Sequence, residues 1–138
     1  MENPFETSGS KTLTDWFNEI IASPSGIYVV GGLSGSAVWT TKHRCLEGLR
    51  SLGHRCIACR GADKDLIAEA VRQAESGVIV LMALKISEPN EARARFDQDG
   101  LGDVFGLVRG VLTQKLVPVG EKVQLQASYT PHTEHADA

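Results

Sequence analysis

The residues best placed to do chemistry lie in "GIYVVGGLSGSAVWTT", Gly26 to Thr41. An apolar run enters a Gly/Ser turn, and helix-patterned residues follow it. That is the frame of a phosphate-binding loop. In G-x-x-x-x-G-K-[ST], backbone N–H groups cradle the phosphates, the lysine reaches the β- and γ-phosphates, and the hydroxyl holds Mg²⁺. Here Gly32, Ser34, Gly35 and Ser36 keep the turn, but Ala37 stands at the last glycine, Val38 at the lysine and Trp39 at the hydroxyl. The turn and the helix N-terminus still offer N–H groups to an anion. Lys42, four residues past Val38 and so on the same helical face, is the nearest substitute cation. The plainer reading is a strand–turn–helix joint in which Gly31, Gly32 and Gly35 serve backbone geometry. Val38 and Trp39 are then packing or contact residues.

Other reactive groups are less organised. Cys56-x-x-Cys59 has His54 beside it and His43 and Cys45 upstream, which are zinc-type ligands. No second cysteine pair completes a site, and on a strand Cys56 and Cys59 point to opposite faces. Three cysteines, an odd number, do not suggest a disulfide framework. They are expected to be small core residues. Asp97, Asp99 and Asp103 with Glu88 and Glu91 lack the downstream ligands of a calcium loop, so they read as a solvated helix end and loop. No G-x-S-x-G nucleophile motif is present. The expectation is no catalytic residue, no metal and no cofactor, with ATP or ADP as the lesser alternative.

These residues need elements to hold them. "TLTDWFNEIIAS" predicts a short helix capped by Thr12 and Asp15, with Leu13, Trp16 and Ile20 inward. "IYVV", "RCIAC" and "VIVLMAL" predict three strands. The helix from Val38 to Leu52 closes at Gly53, and "KDLIAEAVRQAES" follows, capped by Asp63, buried through Leu66, Ile67, Ala70, Val71 and Ala74, and ended by Gly77. "EPNEARARFDQ" predicts a polar helix with Pro89 in its first turn. "DVFGLVRGVLTQKL" predicts another helix, and "KVQLQASY" a late strand. Alternating strands and helices imply a parallel α/β sheet with ligand sites at the C-terminal strand ends. The opening loop, Arg60 to Asp63 and Lys85 share that rim.

The chain has 138 residues, net charge −3 and 22% charged residues. One domain is expected over residues 11–129, between a flexible 1–10 and a disordered tail 130–138. No basic block supports nucleic-acid binding. No apolar run is long enough to span a membrane, and the N-terminus has no signal core. A cytoplasmic protein is the simple reading.

With the motifs in order, the chain resembles the motor domain of the secretion ATPases: type II secretion, type IV pilus assembly and retraction, and their conjugation relatives. The likeness runs from about Leu13 to Tyr129. "DWFNEIIASPSGIYVVGGLSGS" is similar to the family's helix, "P-x-G" turn and strand into "GPTGSGKTT". "CRGADKDLIAEAVRQAESGVIVLMALK" resembles "GEIRDLETAEIALQAALTGHLVLSTLH" without a gap. "LVRGVLTQKLVP" resembles "SLRGVLAQRLV", agreeing at Arg109, Gly110, Val111, Leu112, Gln114 and Leu116.

The resemblance implies a minimal RecA-like P-loop-type fold, and it also locates the departures. Arg60 stands at the Walker B acid, Ala62 at a motif arginine and Lys85 at the histidine of "STLH", while Asp63 is kept. The acidic-box stretch and the N-terminal domain of the family have no counterpart here. Phosphoryl transfer is mostly positioning and electrostatic stabilisation, so losses at Val38, Trp39, Arg60 and Lys85 on one rim imply a catalytically inactive pseudo-ATPase. The family's motors are ring hexamers. The expected partner is therefore a protein: a hexameric secretion or pilus ATPase, or the chain itself. The expected contact elements are Trp39, Arg60, Asp63, Arg109 and Gln114. The alternatives are a noncanonical ATPase using Lys42, Arg60 or Lys85, and a plain α/β adaptor.

Overall fold

A computed structural model describes residues 3–5, 10–22, 25–33, 36–60, 64–98, 100 and 102–131. Five strands form one sheet in the order β2-β3-β1-β4-β5. They are β1 (Gly26–Gly31), β2 (Cys56–Arg60), β3 (Ile79–Leu84), β4 (Val108–Val119) and β5 (Lys122–Pro131). The first four run parallel, and β5 returns antiparallel along β4. The helices are α1 (Lys11–Ala22), α2 (Val38–Ser51), α3 (Lys64–Glu75) and α4 (Glu91–Gln98), with a 3-10 turn at Gly102–Leu107. This is the α/β sheet flanked by helices that the alternation of patterns predicts.

Strand alternation sorts the apolar residues into two cores. On β1, Tyr28 and Val30 face one side and Ile27 and Val29 the other; on β3, Ile79 and Leu81 oppose Val80, Met82 and Leu84. The first side is covered by α1 and α2 through Trp16, Phe17, Ile20, Cys45 and Leu49. The second is covered by α3, α4 and the 3-10 turn through Ile67, Ala70, Phe96 and Phe105. Because β1 is buried along its whole length, its run is continuously apolar, as a central parallel strand requires. Cys56 joins the first core and Cys59 packs against the second, so their opposite facing is as the strand spacing dictates.

Several local expectations are corrected. The cap of α1 is Ser10, whose Oγ accepts from the Leu13 N–H at 3.2 Å; Thr12 lies inside the helix. Leu66 is 43% exposed, because Ile67, Ala70 and Ala74 already fill the inward face of α3. Pro89 lies in the turn before α4, where its carbonyl accepts from the Ala92 N–H. Phe5 is 1% exposed and meets Trp16 and Phe17 at ring centroids of 5.9 and 6.0 Å, so residues 3–5 are anchored on α1. The largest correction is β4: "VRGVLTQKL" is a strand, paired with β1 and β5, and no helix. Asp63 as a cap and the tail from residue 132 lie outside the described residues.

Candidate functional site

The sheet order makes β1 and β3 neighbours whose following helices, α2 and α4, go to opposite faces. Their C-terminal ends therefore form the crevice where open α/β sheets bind ligands. Among the described residues, the chain's own side chains pack against these strand ends, beside a cleft of about 150 Å³ lined by Leu33, Ser36, Ser87 and Gln114. The Gly32 N–H donates to Leu84 O at 3.1 Å across the strand ends. Ile86, 2% exposed, packs so closely on Gly31 that a side chain there would collide with it. A side chain at Gly32 would likewise collide with Ser36 Oγ and Val38 Cγ2. The valine that stands at the lysine position thus folds back over the loop.

The helix start keeps an unusual backbone. Ala37 has φ 63° and ψ 25°, the only positive φ at a non-glycine among the described residues. An alanine there accepts a left-handed conformation that costs an L-residue about 1–2 kcal/mol and a glycine far less. A buried amide secures the turn. Gln114 Nε2 donates to Ser36 O at 2.7 Å, and the Thr41 hydroxyl donates to Gln114 Oε1 at 2.6 Å. Ser36, Thr41 and Gln114 are all buried. The Thr41 hydroxyl, two residues past Trp39, is thus committed to the protein.

At the outer end of the loop Trp39 is 68% exposed. Its indole stacks on the His43 ring at 5.1 Å between centroids and 4° between planes. His43 Nε2 in turn lies 3.1 Å from Glu47 Oε1, so one exposed stripe of α2 carries an aromatic, an imidazole and a carboxylate at helical spacing. Among the described residues Lys42 makes no hydrogen bond to the loop; its charge is felt at Cys59 on β2, where it partly offsets the burial that pushes that thiol up to about 11.

No protein-family model and no curated protein matches the chain. Among solved structures, the pilus retraction motor PilT with bound ADP superposes at TM-score 0.64 and 15% identity, over 78% of this chain and 47% of that one. The Legionella pneumophila ATPase DotB gives TM-score 0.71 and 18% identity over 90% of this chain and 52% of that one. The Yersinia pseudotuberculosis ATPase DotB gives 0.70 and 14% over 96% and 49%. The chain has the fold of these ATPases. It spans about half the length of each.

Within that fold the expected site residues divide. Gly32, Ser36, Val38, Trp39 and Lys42 stay on the rim with Lys85, which is exposed after β3, and Arg60, which ends β2. Ser34, Gly35, Ala62 and Asp63 lie outside the described residues. Gln114, expected as a contact residue on a helix, is 4% exposed on β4 and serves as the loop's brace. Arg109 lies at the opposite end of the sheet, where it lines a cleft of about 450 Å³ with Glu19, Gly26 and Tyr28. Burial pushes the Tyr28 phenol up to about 12, with the Arg109 charge opposing and Glu19 adding. Trp39 and Arg109 therefore cannot belong to one small contact patch. The pairing of Thr41 with Gln114 was not foreseen, because nothing local in either stretch signals a bond between residues 73 apart.

Proposed function

We propose that this domain is a pseudo-ATPase: a protein-interaction or regulatory module of a secretion, pilus or conjugation machine that no longer hydrolyses ATP. The observation that carries this reading is the apolar Val38 side chain packed against Gly32 where the loop pattern has its lysine, with Ser36 Oγ beside it. A phosphate loop needs a cation beside its N–H groups and a hydroxyl on Mg²⁺. Here Val38 supplies no charge, Ile86 packs on the adjoining strand end at Gly31, and the hydroxyl of Thr41 donates to Gln114. Hydrolysis also needs a carboxylate to organise the attack, and Arg60 stands at that position. Trp39, exposed and braced by His43, gives the same rim an aromatic suited to a protein contact.

The reading is tested by titrating the full chain calorimetrically with Mg²⁺-ATP and Mg²⁺-ADP and assaying phosphate release. No turnover and no saturable binding are expected. Tight ATP binding abolished by Lys42→Ala would instead establish the noncanonical ATPase. A cognate motor ATPase mixed with the chain is expected to yield a heavier complex by light scattering, weakened by Trp39→Ala. A chain that ignores the motor favours the plain adaptor. Among the described residues no helix is long and apolar enough to cross a membrane.

A further inference from the structure

The sheet has two edges, and they differ. The β2 edge is five residues long, whereas the β5 edge is ten residues long and pairs with β4 in an unbroken register from Val119–Lys122 to Gly110–Pro131. A two-residue turn, Gly120 (φ 64°) and Glu121, closes this hairpin. In such a turn the flanking pair is hydrogen-bonded, and bonded and non-bonded pairs then alternate. Lys122, Gln124, Gln126, Ser128 and Thr130 thus bond to β4. Val123, Leu125, Ala127 and Tyr129 turn their N–H and C=O groups outward, and among the described residues nothing pairs with them.

Proteins guard a long edge with charges, prolines, bulges or a covering element. Between Lys122 and Pro131, "VQLQASYT" holds no charged residue, no glycine and no proline. Its register has no bulge. A groove of about 610 Å³ follows the strand from Val123 to Ser128, walled on one side by Ser10 and Thr12 at the start of α1. Beyond Thr113, which pairs with the last residue of β1, the hairpin runs on as a two-stranded ribbon. The exposed apolar residues Leu116, Val119 and Val123 lie on that ribbon.

We propose that β5 is a pairing edge for a second copy of this chain, adding strand to strand in antiparallel fashion to make one ten-stranded sheet. The occupant follows from charge. Antiparallel pairing of β5 with itself sets neutral residues against neutral residues and places the only charged residue of the strand, Lys122, opposite Thr130, at the far end from the other Lys122. Parallel pairing would bring the two lysines together, and a charged partner strand would find no counter-charge. In the register that uses all four outward residues, Val123 pairs with Tyr129 and Leu125 with Ala127, and Gln126 faces Gln126 across the two-fold axis. Gln126 is exposed and stands opposite Lys115 within the hairpin, so each charged variant is first shown by circular dichroism to keep the fold. This names one partner of the interaction module proposed above and rests on that reading; ATP turnover would overturn the module without altering the mass, and the mass tests the edge alone.

Sedimentation equilibrium of the full chain over a wide concentration range is the test. The wild type is expected to approach twice 14.9 kDa. Gln126→Lys and Gln126→Glu should each raise the dissociation constant by up to about fivefold, because like charges then face each other across the pair. Mixing the two variants should restore association to the wild-type level or better. Ala127→Pro, which removes one outward N–H and no β4 bond, should abolish it while circular dichroism stays unchanged; if that variant unfolds, the charge pair decides. A wild type that stays monomeric throughout overturns the proposal. So does a dimer indifferent to both charges, or one that the mixture fails to restore.

Discussion

The Thr41 hydroxyl and the Gln114 side-chain carbonyl meet at 2.6 Å, and the amide nitrogen of Gln114 holds Ser36 O at 2.7 Å. One buried side chain on β4 thus ties together the last turn of the loop and the first turn of α2. Gln114→Leu keeps the volume but orphans a buried carbonyl and a buried hydroxyl. Each such orphan costs about 1–3 kcal/mol, so a loss of about 2–4 kcal/mol is expected in urea unfolding. Thr41→Val takes from the buried Gln114 Oε1 its one donor among the described residues, so it should cost about 1–3 kcal/mol. A Gln114→Leu protein as stable as wild type would show that the brace carries no load.

Ala37 holds the position that the loop pattern gives to glycine, and it holds it in the left-handed region. Ala37→Gly relieves that conformation at the cost of a freer unfolded chain. The first effect is about 1–2 kcal/mol and the second about 0.4–1, so a net gain of about 0.5–1 kcal/mol is expected from chemical denaturation. A destabilised Ala37→Gly protein would mean the turn is not strained.

Placing the lysine and hydroxyl of the loop pattern in this chain should not by itself produce ATP turnover. Val38→Lys with Trp39→Thr rebuilds the end of the loop pattern, but Arg60 still stands at the Walker B acid and Ile86 still packs on Gly31. Phosphate release is expected to stay at the background rate, whatever nucleotide affinity the pair gains. Turnover in this double variant would show that Arg60 and Ile86 do not prevent hydrolysis.

The fold was legible where pattern and burial agree. β1, β3 and α3 have runs that only a two-sided parallel strand or an amphipathic helix explains, and their order implies the sheet. β4 misled because Val108, Val111, Leu112 and Leu116 recur at helical spacing. Val108, Val111 and Leu112 reflect a strand covered on both faces, with Gly110 leaving room for the Tyr129 ring, while Leu116 is exposed on the ribbon beyond. The loop's likeness to the phosphate-loop pattern was visible in sequence, but its packing was not: Ile86 on Gly31 and Gln114 on Ser36 are long-range contacts without a local signature. Gln114 matched the family segment, yet matching could not tell a buried brace from a surface contact.

Phe5 is the clearest residue that polar neighbours concealed. It is buried against Trp16 and Phe17, and the Asn3 side chain fixes it by donating to Thr14 O at 2.9 Å and accepting from the Phe5 N–H at 2.9 Å. Phe5→Ala is expected to cost about 3–5 kcal/mol, the range for truncating a buried aromatic. Thermal or urea unfolding measures it, and a loss below about 1 kcal/mol would mean the segment is not part of the fold.

The thiols predict how the protein behaves in alkali. Burial pushes Cys59 from its ordinary 9.0 to about 11, with Lys42 partly opposing, and raises Cys45 and Cys56 as well. It also carries Tyr28 from 10.0 to about 12. In each case the folded state holds its proton more tightly than the unfolded state. The unfolded chain therefore ionises first as pH rises, and the stability these groups contribute is complete below about pH 9 and lost as pH climbs through 11 and 12. The urea midpoint should be level near pH 8 and fall steadily above pH 9. The thiolate is the nucleophile, so all three cysteines should react with a disulfide reagent far more slowly at pH 8 in the native protein than in urea. Cys59→Ser should remove part of the alkaline slope. A midpoint unchanged up to pH 11, or a native thiol that reacts at the unfolded rate, would show that these cysteines are not the buried core residues described.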